Sequence, residues 1–581
     1  MKRFYKYDTL AEYKAAKSSL PNNHVALVEG AVYINGHAQS GGGGALPISS
    51  GNPNVVNGKW IKPAEWDDIE SIEIPEGKSE LYHLYGNHLS YSFCRLRVYG
   101  TALTWARGRV VDGAFVPDGA FASVSSGGYI EVDLEQYEDD YSVICVKGTV
   151  IQQCIPQAWN RSGMSFGANY NACLMRYGRM PKGTNIVFSC YTLESDNVLD
   201  FAKDLTNTTL TLASAYTTCY NLARWRHDGW NIAGNKTASL ASMFNNCYNL
   251  IDVVDMDLTG WCSAATTNIS SMFNYCYSLT ADVIMNDWDV VNVTTMASMF
   301  STCYYIPHIY GLETWTEATK CTATNSMFAN TWCLVQKLDV SSWKCGAAGA
   351  NFNNVSSMFS TSSVTEIDIS GWNFSKMTTN FTSVFATCRK LKKIKMDGCI
   401  WPTAATTFNG IFNTCVALEE LELDGWDFSK IPTSATNAIS NFVGNCYSLR
   451  KFTVKNVVPL SGTSINDNST TNGSIFQTCH QIRYLDASWI DMNVFTSTYS
   501  HLYAFRTLYM LVDFYPPKNI SKSFYMNQSV LLSHDSILRV IDNLVPNKSS
   551  SKPVLTLGAM NRAKLTDAEY QIILDKGWTY A

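Results

Sequence analysis

Ser242-Met243-Phe244-Asn245-Asn246-Cys247-Tyr248-Asn249-Leu250 is followed one period later by Ser271-Met272-Phe273-Asn274-Tyr275-Cys276-Tyr277-Ser278-Leu279. The phrase returns around Met299-Phe300, Met327-Phe328, Met358-Phe359, Val384-Phe385, Ile411-Phe412, Asn441-Phe442 and Ile475-Phe476, with a weaker copy from Tyr216 to Cys219. Aromatic positions 216, 244, 273, 300, 328, 359, 385 and 412 are separated by 28, 29, 27, 28, 31, 26 and 27 residues. So regular a period, with insertions of a few residues, specifies a solenoid in which each repeat packs on its neighbours.

Within each repeat the Met-Phe pair is expected to close a short helical or irregular segment facing inward, with the cysteine at the start of a strand. The strand follows an L-x-x-L-x-L pattern: Val364/Ile367/Ile369, Leu391/Ile394/Met396, Leu418/Leu421/Leu423 and Leu449/Phe452/Val454. Alternate strand residues face opposite sides, so the last two of each triplet share a core. A Trp follows in most copies, at 230, 261, 288, 315, 343, 372, 401, 426 and 489. Stacked repeats then generate Phe, Cys and Trp columns.

Before the repeats, short runs such as Ser71 to Ile74, Phe93 to Tyr99, Tyr129 to Leu134 and Tyr141 to Val146 alternate with Gly, Asn and Asp turns. This spacing predicts an antiparallel β-sandwich-like domain. Residues Thr9 to Ser19 read as a helix, and His24 to Val28 with Ala31 to Ile34 as a hairpin turning at Glu29-Gly30. Such a unit is too small to bury a core alone, so it is expected to attach or oligomerise. The last stretch reads as a cap: Ser533 opens a helix over Asp535 to Leu544, Val554 to Leu557 is a strand, and Thr566-Asp567-Ala568-Glu569 is a capping box ended by Gly577. The expected fold is mainly β with short helices. Its segments are 1–40 for attachment, a Gly-rich linker over 41–58, a β-domain over 59–190, a solenoid over 191–515 and an α/β cap over 516–581.

The whole chain has 581 residues, a net charge of −5 and only 16% charged residues, against roughly 25% in ordinary soluble proteins. With 46% apolar residues it is not a disordered chain. The absence of a Lys/Arg-rich run argues against nucleic acid as a partner. No apolar stretch reaches membrane-spanning length, so no membrane insertion is expected. Met1 to Leu20 lacks the apolar core of a secretory signal, and the 18 cysteines show no CxxC pairing. Reduced thiols from synthesis in a cytoplasm are therefore expected.

The M-F-x-x-C-x-x-L-x-x-L-x-L unit with a following G-W or S-W resembles the BspA-like leucine-rich repeats of bacterial surface proteins. The K-L-T-D-A-E…K-G-W-T ending resembles one found with such repeats in Bacteroidales and their phages. The opening Y-x-T-L-A-E-Y-x-A-A-K-S-S-L resembles N-terminal segments of fibre proteins from crAss-like gut phages. The resemblance implies a virion fibre or receptor-binding structural protein, made in the host cytoplasm and incorporated into the particle. Its partners would be a tail or capsid protein through the N-terminal segment, a host surface glycan or protein, and further copies of itself. A bacterial adhesin and a capsule depolymerase are the alternatives. Thr331 and Ser362 occupy the Cys position in two copies, a departure that argues against essential thiol chemistry there.

Candidate sites are few. A metal bound by Cys219, Cys247, Cys276, Cys303, Cys388, Cys415, Cys446 and Cys479 would need tetrahedral convergence that a straight column does not provide. The nine histidines form no HxxxH, and Gly77-Lys78-Ser79 has Ile72 where a phosphate-binding loop needs glycine. Outward strand residues alternate in sign: Glu366/Asp368, Lys392/Lys393/Lys395, Glu419/Glu420/Glu422, Arg450/Lys451. That pattern suits cross-strand pairing better than a glycosidase pair, because flanking lysines lower carboxylate pKa values. No catalytic residue, metal or cofactor is expected, and the chain reads as no enzyme. The residue after Cys is aromatic in five consecutive copies, Tyr220, Tyr248, Tyr277, Tyr304 and Trp332, and later becomes Ser363, Arg389, Val416, Tyr447 and His480. Because the column admits Arg, it is expected at the surface, where aromatic rings could stack on a glycan or pack on one another.

Overall fold

The computed structural model describes residues 65–86, 93–157 and 173–581, apart from breaks at 252, 254–255, 347–350, 378–380, 405–406, 430–438, 440, 459–474, 477, 493–504 and 506. It also describes the backbone of strands at 3–7, 24–28, 31–34, 37–38, 55–56, 59–60, 159–161 and 164–166. The chain divides into two compact units, one of residues 1–285 and 302–307, the other of 286–301 and 308–581.

The first unit begins with a four-stranded sheet. His24–Val28 pairs antiparallel with Ala31–Ile34 as expected, and Arg3–Tyr7 adds alongside it in parallel, a strand that the sequence reading did not contain. The helix expected over Thr9 to Ser19 lies outside the described residues.

Two sheets follow. The larger runs in the order 114–117, 104–111, 141–148, 79–86, 173–179, 195–199, 224–226, and the smaller in the order 128–133, 93–101, 150–156. Strand 79–86 shows how they combine. Tyr82 and Leu84 face a layer formed by Ile69, Ile72 and Ile74. From the opposite face, His83 Nε2 meets Cys154 Sγ of the smaller sheet at 3.6 Å. Ser71 to Ile74 is therefore not a strand, as its alternating isoleucines suggested. It is an unpaired link after the helix Glu65–Glu70, and it alternates because one side packs on the sheet.

Strand Cys173–Arg179 turns the architecture from antiparallel to parallel: it pairs antiparallel with 79–86 on one edge and parallel with Ser195–Leu199 on the other. Arg176 and Asp196 are partners in that parallel register. Both side chains are buried, and the guanidinium donates from Nε and Nη2 to the two carboxylate oxygens at 2.9 and 2.6 Å.

The coils that follow form a solenoid, with short parallel strands pairing from coil to coil. The Ser-Met-Phe segment is neither helical nor extended: it is a chain of turns with left-handed residues every fourth position, such as Ser242 (φ 57°) and Asn246 (φ 64°). This geometry sends alternate N–H groups to the next coil. Phe244 N donates to Met272 O and Asn246 N to Asn274 O, both at 2.8 Å, while Cys247 N closes a turn onto Phe244 O at 3.0 Å. The cysteine does not begin the strand. Cys388 precedes Lys393–Lys395 by a further turn closed by Leu391 N on Cys388 O.

The expected columns are present in each unit. In the first, Tyr216, Phe244 and Phe273 stack at 5.3 and 5.4 Å between ring centroids. In the second, Phe300, Phe328, Phe359, Phe385 and Phe412 stack at 5.4–5.9 Å. Trp288, Trp315, Trp343 and Trp372 form another stack there, and Trp343 and Trp372 donate their indole N–H to carbonyls one coil back.

On the strand face of the second unit, Lys337, Glu366 and Lys393 lie in one register, with Lys337 Nζ 3.6 Å from the Glu366 carboxylate. Asp368 and Lys395 pair at 3.1 Å. Burial pushes the Asp368 carboxyl up, but hydrogen bonds from Ser370 and the Lys395 ammonium outweigh that and hold it below its ordinary value. Cross-strand pairing is thus the role of the alternating charges.

The second unit ends as the capping signals predict. Ser533 accepts from Ser536 N ahead of helix His534–Asp542, and Thr566 and Glu569 form the capping box of helix Asp567–Asp575. Gly577 turns with φ 77° and buries Trp578, whose indole donates to Val545 O at 2.9 Å. A short helix at Gly558–Arg562 was not foreseen.

Candidate functional site

The residue after each cysteine is placed by the turn preceding it. Thr218, Asn246, Tyr275 and Thr302 all have φ between 61° and 65°, so the next two residues leave the turn at the same angle in every coil. The thiol goes inward. Cys219, Cys247, Cys276 and Cys303 donate to carbonyls of Phe188, Tyr216, Phe244 and Phe273, 2.9–3.2 Å away on the preceding coil. The second unit repeats this with Cys388, Cys415, Cys446 and Cys479 on Phe359, Phe385, Phe412 and Val443 at 2.8–3.1 Å. The cysteine column is therefore a line of S–H···O contacts, and burial raises the thiols of Cys219, Cys247, Cys276, Cys303, Cys388, Cys446 and Cys415, the last to about 12. All 18 cysteines carry free thiols.

The tyrosines stand beside that line. Tyr191, Tyr220, Tyr248, Tyr277 and Tyr304 form one continuous stack, with centroid separations of 4.4, 4.7, 5.0 and 5.2 Å and interplanar angles of 21° or less. Tyr191 was missed in the sequence. Its signal was the dipeptide Cys190-Tyr191, one period before Cys219-Tyr220.

The stack differs from the surface column expected. Tyr277 and Tyr304 are only 7% and 9% exposed, whereas Tyr447, at the same place in a later coil, is 51% exposed. Inside the stack each ring face is covered by the next tyrosine, leaving edges rather than faces to a partner. Burial raises the hydroxyls of Tyr248 and Tyr304 to about 12, so they remain protonated donors at neutral pH. Trp332 is half-buried and belongs to the second unit.

Among the described residues, no group of three or more His, Cys, Asp or Glu side chains is placed to hold a metal ion. No described helix is long and apolar enough to cross a membrane.

A family described as "Mycoplasma protein of unknown function, DUF285" matches residues 238–395 and 322–452, within the repeats. No curated protein matches the chain. A leucine-rich repeat protein from Bacteroides ovatus is a structural neighbour at 11% identity and TM-score 0.32, covering 74% of this chain and 94% of that one. An internalin from Listeria monocytogenes aligns at 11% identity and TM-score 0.18, covering 61% and 82% respectively.

Proposed function

We propose that the chain is a non-enzymatic receptor-binding protein of a phage fibre, acting on the virion after synthesis in the host cytoplasm. Its N-terminal segment joins a tail or capsid protein and further copies of the chain, and the remainder engages a host-surface glycan or protein. The observation carrying this reading is the contrast between neighbouring positions of one coil. The inward cysteine is replaced only by Thr331 and Ser362, while the next residue ranges over Tyr, Trp, Ser, Arg, Val and His. A constant frame beside a position that passes from the buried Tyr277 and Tyr304 to the exposed Tyr447 suits display of differing surfaces to a partner. The resemblance of the opening residues to crAss-like phage fibre segments supports the virion setting.

Mass spectrometry of purified virions, set against the envelopes of the producing cells, tests the reading. The chain is expected among the virion proteins, and recovery in envelopes alone would replace the fibre with a bacterial adhesin.

A further inference from the structure

The β-domain of the first unit contains an open cleft of about 810 Å³, within the size range of small-molecule sites. One wall is the link Ser71 to Pro75, and the other is the hairpin turn at Asp112-Gly113. Both turn residues have positive φ, 53° and 74°, and they join Val111 directly to its partner Ala114. Such two-residue hairpin turns are stiff, so Asp112 is held on the rim.

The floor is aromatic. Phe115 lies partly exposed with its ring 5.7 Å from Tyr82 and 6.2 Å from Phe121. At the back, the Tyr82 hydroxyl donates to Glu80 Oε2 at 3.0 Å and Lys147 Nζ lies 3.3 Å from the same oxygen. Glu80 is thereby fixed in orientation and its charge offset. Glu73 and Asp112, both exposed on the rim, have no ion-pair partner among the described residues.

We propose that this cleft binds a neutral sugar chain. An apolar ring takes the C–H face of a pyranose. Carboxylates on facing walls accept from its hydroxyls through charge-assisted hydrogen bonds, and Lys147 supplies a donor. The two unpaired rim carboxylates leave the cleft with surplus negative charge, which repels uronate-rich and sialylated chains. The proposal places a sugar site on the β-domain, apart from the tyrosine stack. It rests on the reading of the chain as a binding protein for its biological role alone.

Calorimetric titration of the full chain with maltohexaose, mannohexaose, cellohexaose and xylohexaose tests it, with hexagalacturonate and chitosan hexamer as charged comparisons. At least one neutral hexasaccharide is expected to bind, and hexagalacturonate is not. Phe115→Ala is expected to weaken binding at least tenfold. The double variant Glu73→Gln/Asp112→Asn is expected to do the same. It changes only exposed carboxylates and keeps a residue type that tolerates positive φ, so it covers the event that Phe115→Ala misfolds. Absence of neutral-sugar binding, binding unchanged in the folded double variant, or binding of the chitosan hexamer alone would overturn the proposal. These titrations use purified protein, so their result is independent of where the chain is found in virions or envelopes.

Discussion

Thr331 Oγ1 lies 2.8 Å from Ser362 Oγ, at the two coils where the cysteine column is interrupted. Thr331 donates to Phe328 O of its own coil at 2.8 Å, whereas Cys388 Sγ reaches back to Phe359 O on the coil before it. The three residue types share a small buried donor and no redox chemistry. The column holds small buried donors that add a second hydrogen bond to carbonyls already engaged by a turn, as Phe359 O is by Ser362 N at 3.0 Å.

Cys388→Ser keeps that donor and is expected to cost within about 1 kcal/mol, whereas Cys388→Ala removes one of the two hydrogen bonds to the Phe359 carbonyl together with the thiol's volume and costs about 1–2 kcal/mol. Urea denaturation of both variants measures the difference. Equal losses would mean that the thiol acts through its volume.

Stability is expected to be level below about pH 9 and to fall steeply above it. Burial raises Cys145, Cys154 and Cys415 from an ordinary 9.0 to about 12, and Tyr248 and Tyr304 from 10.0 to about 12. Between the two values the unfolded chain has released protons that the folded chain retains, so rising pH favours unfolding. Melting curves from pH 7 to 11.5 check this, and a flat profile would contradict the burial of these groups.

Arg176→Met leaves the Asp196 carboxylate buried without its bidentate partner. The expected cost is about 3–5 kcal/mol, with much of it recovered in Arg176→Met/Asp196→Leu. A double-mutant cycle by chemical denaturation reads both values. A double variant as unstable as the single one would assign the loss to packing on Phe188, over which the guanidinium lies at 4.5 Å.

Tyr277 and Tyr447 hold the same position in their coils but differ in exposure. Tyr277→Ser is expected to cost about 3 kcal/mol through lost stacking and a cavity, and Tyr447→Ser about 0.5 kcal/mol or less. Comparable losses at the two sites would remove the distinction between stack and surface.

The repeat was legible because each side chain repeats its chemistry as well as its position: Phe244, Phe273, Phe300 and Phe328 recur with Cys and Trp at fixed offsets. The backbone of the Ser-Met-Phe segment was not. Ser and Asn four residues apart read as ordinary polar positions, although both adopt the left-handed conformation that prevents a helix and redirects N–H groups between coils. Ser71 to Ile74 misled for a related reason, since alternation reports one buried face whether or not the backbone pairs. For the tyrosines, the sequence identified the column but not the ring orientation. Whether a ring turns its face to solvent or to its neighbour is decided by the separation between coils, which no single repeat contains. The cleft at Phe115 draws on residues from 71 to 147 and has no local signature.

The alternating charges on the strand face restrict how the gene can shorten or lengthen. Lys337, Glu366, Lys393, Glu420 and Lys451 occupy one phase of successive coils. Recombination between repeats removes or adds whole coils. Loss of the coil bearing Lys393 would set Glu366 beside Glu420, while loss of the two coils bearing Glu366 and Lys393 would join Lys337 to Glu420. Opposite charges facing across strands stabilise and like charges destabilise. Repeat number in this half of the chain is therefore expected to drift in steps of two, a parity rule written into the surface rather than the core.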